Sequence, residues 1–196
     1  GFESYWEIKY GSEDAILGQW IKGPGIKFFD SIKEELGDLN IIAEDLGFLT
    51  EDVKKLLKYS GFPGMKVLQF AFDSGEESDY LPHNYDKKSV VYTGTHDNST
   101  IIGWFSKAKS QDVDYAKKYL KIDSNEGLNW GFIRGGWSST AWLAITTMQD
   151  IFGLGDEARM NIPSTLGGNW TWRMKKTDLT IEIVEKLANT TRIYGR

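Results

Sequence analysis

The sequence predicts an α/β protein built on a parallel sheet or barrel. Short apolar segments alternate with segments of helical periodicity, at intervals of about 25 to 30 residues. Three of the apolar segments end in carboxylates, at Glu44, Asp73 and Asp97. The chain has 196 residues, of which 40% are hydrophobic. That is enough for one sizeable core or for part of a larger one.

The first forty residues contain one predicted helix. Residues 1–10 mix aromatic side chains with glutamates before a glycine, which favours an irregular loop. Apolar side chains then recur at helical spacing from Phe28 to Leu36, and Gly37 ends the pattern. We therefore expect a loop followed by an amphipathic helix.

The apolar run at residues 39–44 leads directly into Glu44 and Asp45. A short run of this kind is typical of a strand that is buried on both faces. Because burying an unpaired charge costs free energy, both carboxylates belong at the carboxyl end of the strand. In parallel α/β proteins that end carries the functional residues. The structural alternative is that Asp45 only caps the next helix.

Residues 50–98 are predicted to add a helix and two strands. The helix begins at Thr50 and has acidic residues in its first turn, where the helix dipole favours them. The strands occupy residues 65–72 and 89–93, with a polar loop at 74–88 between them. Each strand leads into one of the carboxylates named above.

The remainder of the chain is predicted to be mainly helical. A helix begins at Ser99 or Thr100, and the glycines and asparagines of 121–135 indicate a connection. Further helices are expected at 111–120, 138–148 and 179–187. A short strand is also expected near the end of the segment 138–148, leading into Gln149 and Asp150.

The composition argues against several classes of protein and site. A net charge of -5 without a basic run disfavours a nucleic-acid partner. The absence of cysteine rules out disulfides and thiolate metal sites and favours a reducing compartment, so we predict a cytoplasmic protein. The sequence contains no run of about 18 apolar residues that could span a membrane. It also contains no phosphate-binding glycine motif and no recognised metal-ligand spacing, so no cofactor and no metal are predicted.

The three carboxylates are the main chemical signal. On a barrel the carboxyl ends of the strands converge, so Glu44, Asp73 and Asp97 are expected to face one cleft. Glycoside chemistry needs one carboxylic acid that protonates the leaving oxygen and one carboxylate that attacks or activates water. His96 adds a donor suited to a sugar hydroxyl. Asp73, which precedes Ser-Gly, could instead simply nucleate a turn.

Aromatic and basic side chains each have two interpretations. Phe70 and Trp104 could form flat platforms for sugar rings, but they lie in apolar patterns that also suit the core. Arg159 could contact a ligand or simply pair with Glu157 or Asp156. The sequence leaves these alternatives open.

Six motifs follow one another along the chain: IAEDLG at 42–47, PGMKVLQF at 63–70, LPHNY at 81–85, YTGTHDN at 92–98, EARMNIP at 157–163 and GNWTWR at 168–173. In this order they resemble the motifs of the 4-α-glucanotransferases, the amylomaltases or disproportionating enzymes of glycoside hydrolase family 77. The resemblance covers almost the whole chain.

The resemblance implies that residues 1–196 are the C-terminal part of a (β/α)8 TIM barrel, incomplete in this chain and without an internal domain boundary. It implies an enzyme that transfers α-1,4-glucan segments between maltodextrins by retaining double displacement. Glu44 matches the family's general acid/base, and Asp97 matches its transition-state-stabilising aspartate. The positions that match substrate-binding residues are His96, Phe70, Asp73 and Asn169.

One departure from the family concerns the nucleophile. The family's nucleophile motif, Arg-Ile/Leu-Asp-His-x-x-Gly-Phe, is represented here only by Gly1-Phe2. The nucleophile is therefore expected four residues before Gly1. The chain is expected to supply the acid/base and the stabiliser but to be inactive by itself. The alternative hypothesis is a non-catalytic α-glucan-binding fragment.

The resemblance also implies the partners. These are α-1,4-glucans and maltooligosaccharides, together with the N-terminal half of the barrel or a second copy of the chain. Half of a closed sheet would leave open edges and an uncovered apolar interior, which another chain segment has to cover. No nucleic acid and no membrane are expected as partners.

Overall fold

The computed structural model describes residues 1–47, 49–73 and 78–196. The chain forms two compact units, Gly1–Met65 and Lys66–Arg196. Each unit is described by itself below. The prediction that residues 1–196 are one portion of a barrel without a domain boundary stays a prediction.

The first unit begins with a hairpin where the sequence predicted an irregular loop. Strand β1, Ser4–Glu7, pairs antiparallel with strand β2, Gln19–Lys22. Trp6 lies opposite Trp20, and the two rings meet edge to face with centroids 5.4 Å apart. The loop prediction was wrong because aromatic cross-strand pairs stabilise a hairpin, and the partner of each aromatic residue is not visible from a single segment.

Two helices complete the first unit and confirm the predicted periodicity. Helix α1 spans Ile26–Leu36, and helix α2 spans Glu51–Ser60. Gly37 follows α1 with φ 73°, a left-handed conformation that favours glycine. The Thr50 hydroxyl oxygen accepts the Val53 N–H at 3.3 Å, as expected for a helix N-cap.

The segment 39–44 does not form the predicted buried strand. Within the described residues it makes one parallel bridge, between Ala43 and Gly64, and Ile42 is 38% exposed. An apolar run becomes a buried strand only where neighbouring strands and side chains cover it. In this unit no such cover is present among the described residues, and the segment is extended without a ladder.

The second unit contains a small sheet. Strand β3, Gly64–Val67, begins at the end of the first unit, and the sheet order is β3-β4-β5. Strand β4, Ser89–Tyr92, pairs in parallel with strand β5, Leu143–Ile145. The predicted strands at 89–93 and after 138 are thereby confirmed, as is the α/β class with parallel pairing.

The prediction for 65–72 was wrong in its second half. The strand ends at Val67 and continues as a 3-10 helix, Leu68–Ala71. Asp73 therefore follows a 3-10 helix and does not stand at a strand end. The side chains of Leu68 and Phe72 are fully buried, and this burial explains why the whole segment has the apolar pattern of a strand.

The described part of the second unit contains five α-helices: α3 Ile101–Lys107, α4 Ser110–Leu120, α5 Leu128–Trp137, α6 Met148–Phe152 and α7 Ile181–Tyr194. Helices α3, α4 and α7 were predicted, although α7 extends further than expected. Helix α5 was wrongly predicted as a connection. The predicted helix at 138–148 was also wrong, because this segment contains turns and strand β5, and α6 begins only at Met148. The glycine content of α5 explains why the sequence did not indicate a helix there.

The glycines of α5 allow close packing. A Cβ atom on Gly135 would collide with the side chain of Leu120, and one on Gly131 would meet Ile122 at 2.7 Å. Glycine lowers helix propensity, so the sequence pattern argued against a helix here. The tertiary contacts outweigh that cost because they bring α5 against α4.

The core of the second unit is aromatic. Phe132 is fully buried and meets the rings of Phe72, Trp104 and Phe105 at centroid distances of 5.7, 5.9 and 5.9 Å. For Trp104, these contacts confirm the core interpretation.

Residues 74–77 of the predicted polar loop lie outside the described residues. Nowhere in the described ranges is there a helix long and apolar enough to cross a membrane.

Candidate functional site

The turn after β4 presents His96 and Asp97. Asn98 folds this turn, because its Oδ1 accepts hydrogen bonds from the Thr95 N–H at 2.8 Å and from the Thr95 hydroxyl at 2.7 Å. The Asp97 N–H donates to Thr95 Oγ1 at 3.3 Å. The side chains of His96 and Asp97 are about half exposed, at 53% and 48%. The turn therefore leaves both groups accessible from solvent.

Two carboxylates hold the start of α3, which follows this turn. Asp150 accepts the Thr93 hydroxyl at 2.7 Å and the Ile101 N–H at 2.7 Å. Asp156 accepts the Thr100 N–H and the Ser99 hydroxyl, both at 3.1 Å. The first N–H groups of a helix have no acceptor within the helix, so these carboxylates complete α3 and thereby anchor the turn.

The two anchoring carboxylates have opposite pKa shifts. Burial raises the pKa of Asp150, although hydrogen bonds from Ile101 and Thr93 act in the opposite direction. Burial also opposes ionisation of Asp156, but hydrogen bonds led by that from Lys107 outweigh it and lower the pKa. A carboxylate that is at least partly buried and receives two or three donors in this way is a rigid support.

The Asp97 carboxylate is held on one side. Its Oδ1 accepts the side-chain amide of Asn161 at 2.6 Å, and His96 Nε2 lies 3.4 Å from the same oxygen. Arg159 donates to the Asp97 carbonyl oxygen at 2.5 Å. The group thus combines solvent access with a fixed orientation.

The segment 159–170 packs against the turn. Its backbone meets the turn where the Asn161 N–H donates to the His96 carbonyl at 3.0 Å. The Trp170 N–H donates to the Met160 carbonyl at 2.6 Å, and the Trp170 indole lies 5.0 Å from the His96 ring. Trp170 has φ 63°, which is unusual for a bulky residue and favours a constrained functional segment.

Asn169 has a structural task in the same segment. Its Oδ1 accepts the Ile162 N–H at 3.0 Å, and its Nδ2 donates to Thr165 Oγ1 at 3.0 Å. These bonds close the loop that precedes Trp170. An amide nitrogen has a second N–H, so substrate binding by Asn169 is compatible with this role. It stays a prediction.

Phe70 and Asp73 lie on the continuation of β3. The Phe70 ring is half-buried and meets Tyr80 edge to face at 5.4 Å, so the two open interpretations of Phe70 both survive. Asp73 is exposed. Gln69 donates to the Ser99 carbonyl at 2.8 Å, which ties the segment of Phe70 to the end of the turn.

Glu44 belongs to the first unit and is exposed. The Ala43 N–H donates to the Pro63 carbonyl at 2.9 Å, and Asp45 Oδ1 accepts the Met65 N–H at 2.6 Å. A Cβ on residue 64 would lie 2.5 Å from the Asp45 carboxylate, so Gly64 is required here. Asp45 therefore has a structural role, and the catalytic role of Glu44 stays a prediction. The expected cleft shared by Glu44, Asp73 and Asp97 stays a prediction.

Four residues hold the turn with His96 and Asp97 in ways that the sequence did not reveal. Arg159 does not pair with Glu157 or Asp156 as suggested; it donates to Asp97, to Ser99 Oγ at 3.3 Å and to the Asn161 carbonyl at 2.8 Å. The others are Asn161, Asp150 and Asp156. Arg159 and Asn161 lie within the motif EARMNIP at 157–163, whereas Asp150 and Asp156 lie outside the six motifs. Within the described ranges, no three side chains of the His, Asp or Glu type are grouped to hold a metal ion.

The sequence and fold match proteins of one family. The profile of glycoside hydrolase family 77, described as 4-alpha-glucanotransferase, matches residues 1–180. The 4-alpha-glucanotransferase of Clostridium butyricum is 53% identical over 197 residues, which cover 100% of this chain and 40% of that protein. That of Streptococcus pneumoniae serotype 4 is 51% identical and is covered to 39%.

A solved structure agrees with these sequences. The amylomaltase from Streptococcus agalactiae, in complex with acarbose, matches with a TM-score of 0.96 and 42% identity, over 100% of this chain and 40% of that one. The chain thus has a mixed α/β fold like that of an amylomaltase and spans about 40% of the length of these relatives. The chain belongs to glycoside hydrolase family 77, the 4-alpha-glucanotransferases.

Proposed function

We propose that the protein containing this chain transfers α-1,4-glucan segments between maltodextrins by retaining double displacement. The observation that carries the proposal is the Asp97 carboxylate, half exposed with one oxygen held by Asn161. Family membership and the likeness to an amylomaltase in complex with acarbose support the substrate class. We also propose that the fold is completed to a (β/α)8 barrel.

In the first step, Glu44 donates its proton to the glycosidic oxygen while the bond from that oxygen to C1 breaks. A nucleophilic carboxylate forms a bond to C1 at the same time. In the second step, ionised Glu44 removes the proton from the 4-hydroxyl of an acceptor sugar, whose oxygen displaces the carboxylate. Two inversions at C1 retain its configuration.

Asp97 stabilises the positive charge that develops at C1 in both transition states. A fixed carboxylate does so without reorganising during the reaction. His96, Phe70, Asp73 and Asn169 are proposed to bind the sugar rings and hydroxyls. The nucleophile is proposed to lie outside these 196 residues, so that the chain supplies the acid/base and the stabiliser only.

Exposed apolar side chains support a completed barrel as the partner of this chain. Trp20 in the first unit is 69% exposed, and Trp142 in the second is 66% exposed. Contiguous exposed apolar side chains usually mark surfaces that another segment covers, and the exposed Trp6 ring lies against that of Trp20. We expect the 196-residue chain in solution to associate with the remainder of the barrel or with a second copy. A monodisperse monomer in sedimentation analysis would contradict this.

The absence of cysteine supports a cytoplasmic location for the protein.

The test is disproportionation of maltotriose by the natural full-length polypeptide. Glucose and longer maltodextrins should appear together. Glu44→Gln should lower kcat by about 10²- to 10⁴-fold, because the proton donor is lost. Asp97→Asn should lower kcat by about 10²- to 10³-fold, because charge stabilisation is lost. Glu35→Gln on the exposed surface of α1 is the matched control and should retain full activity.

A glycosyl fluoride separates the two roles. Fluoride leaves without help from an acid, so α-maltosyl fluoride should restore the first step in Glu44→Gln but not in Asp97→Asn. The restored variant should accumulate a covalent glycosyl-enzyme, which peptide mass mapping locates. A labelled residue within this chain would contradict an external nucleophile. Maltotriose that is only bound, with no glucose released by the full-length polypeptide, would favour the glucan-binding alternative.

A further inference from the structure

We propose that Asn161 is the positioning residue of Asp97 and that it selects Oδ2 as the oxygen that faces the sugar. This inference rests on the proposed function of Asp97 and adds a residue to it. The relevant contacts lie within the second unit. They involve the turn after β4 and the segment that begins at Arg159.

Asn161 binds the turn with both its backbone and its side chain. Its N–H donates to the His96 carbonyl at 3.0 Å, and its side-chain amide donates to Asp97 Oδ1 at 2.6 Å. The backbone bond fixes where the side chain begins, so the amide reaches the carboxylate with little freedom. A charge-assisted hydrogen bond of this length is among the stronger ones in proteins.

Arg159 fixes the position of its own segment relative to the turn after β4. Its guanidinium donates to the carbonyl oxygens of Asn161 at 2.8 Å and Asp97 at 2.5 Å, and to Ser99 Oγ at 3.3 Å. The guanidinium is a rigid planar fork, so these acceptors cannot shift independently of one another. The donor on Asn161 is therefore held in place relative to Asp97.

The contacts distinguish the two carboxylate oxygens. The Asn161 amide and His96 Nε2 both approach Oδ1. Across the part of the chain that the structure describes, no partner is found for Oδ2, and the side chain is 48% exposed. The last torsion of an aspartate rotates over a broad range when nothing holds it. Without Asn161, rotation would carry Oδ2 away from the position where positive charge develops.

The experiment compares kcat and KM for variants of the natural full-length polypeptide acting on maltotriose. Asn161→Ala should lower kcat by about 10²-fold, as expected when a catalytic group is misplaced by about 1 Å, while KM changes little. Asn125→Ala is the matched control, because Asn125 is exposed in the turn before α5. It should leave both constants unchanged.

Asn161→Asp provides a readout that a purely structural role would not change. It keeps the size of the side chain but places two carboxylates about 2.6 Å apart, which repel each other when both are ionised. Two charged groups lie beside this pair: His96 Nε2 is 3.4 Å from Asp97 Oδ1, and the Arg159 guanidinium donates to the Asp97 carbonyl oxygen. At lower pH a proton shared between the two carboxylates again provides a hydrogen bond to Asp97 Oδ1. The ratio of variant to wild-type kcat should therefore rise at least threefold from neutral pH to about pH 5.

The outcomes are separable. If wild type transfers no glucan, the proposed function fails. If wild type is active and Asn161→Ala raises KM while kcat is kept, Asn161 contacts substrate and the positioning role is wrong. If Asn161→Ala unfolds, the pH dependence of Asn161→Asp decides, and a flat ratio overturns the inference.

Discussion

Removing the carboxylate of Asp150 should destabilise the second unit more than any surface change. Asp150 is 2% exposed, and its oxygens accept the Thr93 hydroxyl and the Ile101 N–H, each at 2.7 Å. Thr93 follows β4, and Ile101 begins α3. Asp150→Ala would leave both donors buried without an acceptor at the point where the turn with Asp97 is anchored.

The expected magnitude follows from these two donors. Each buried donor without an acceptor costs about 1–3 kcal/mol, so the pair costs about 2–6 kcal/mol. Removing a buried charge returns part of this, because burial disfavours the ionised carboxylate. A net loss of about 2–4 kcal/mol in the free energy of unfolding is expected. This is a large part of the 5–15 kcal/mol that stabilises a typical domain.

Asp150→Asn isolates the effect of charge. Burial raises the pKa of Asp150, so the folded state holds this proton more tightly than the unfolded state. Its contribution to stability is full below the unfolded-state pKa and is lost as the pH rises through the folded-state pKa. Asparagine does not titrate. The stability of Asp150→Asn relative to wild type should therefore increase between about pH 4 and neutral pH.

Urea unfolding followed by tryptophan fluorescence measures these differences. Asp114→Ala, on the exposed face of α4, is the control and should change stability by less than about 0.5 kcal/mol. An Asp150→Ala variant that is no less stable than this control would refute the role of Asp150 as acceptor for the two buried donors. A stability difference between Asp150→Asn and wild type that does not vary with pH would refute the effect of burial.

Two further predictions concern glycine substitutions in helices and the carboxylate of Asp156. A Cβ on Gly103 would collide with the Asp156 carboxylate, so Gly103→Ala should lower the free energy of unfolding by about 1–3 kcal/mol. A Cβ on Gly136, in α5, would make only ordinary van der Waals contacts. Gly136→Ala should therefore raise the free energy of unfolding by about 0.5–1 kcal/mol in the same assay. The pKa of Asp156 is lowered overall, since hydrogen bonds led by that from Lys107 outweigh burial. Its stabilisation should be present above about pH 4 and lost as the pH falls through its folded-state pKa, and Asp156→Asn should abolish this acid-limb dependence. Equal effects of the two glycine substitutions, or an unchanged acid limb in Asp156→Asn, would contradict these expectations.

Local signals were sufficient for the helices that carry their own start and stop residues. Thr50 and Thr100 each accept a hydrogen bond from the first turn of the helix they precede, and a threonine before an apolar period predicts this. The hairpin of β1 and β2 and the glycine-rich helix α5 could not be predicted in this way. Both depend on a partner elsewhere in the chain, Trp20 for Trp6 and Leu120 for Gly135.

The sequence by itself determined the family, the α/β class and the residue types that can perform glycoside chemistry, because motif order and hydrophobic period are properties of the chain alone. Only the tertiary structure decided that Asp73 follows a 3-10 helix and that residues 39–44 form no ladder. It also decided which groups hold Asp97. Asn161 lies 64 residues from Asp97 along the chain, and their 2.6 Å hydrogen bond exists only because folding brings the two segments together. Long-range polar contacts of this kind have no local period or capping signature, so physical reasoning on a single sequence cannot reveal them.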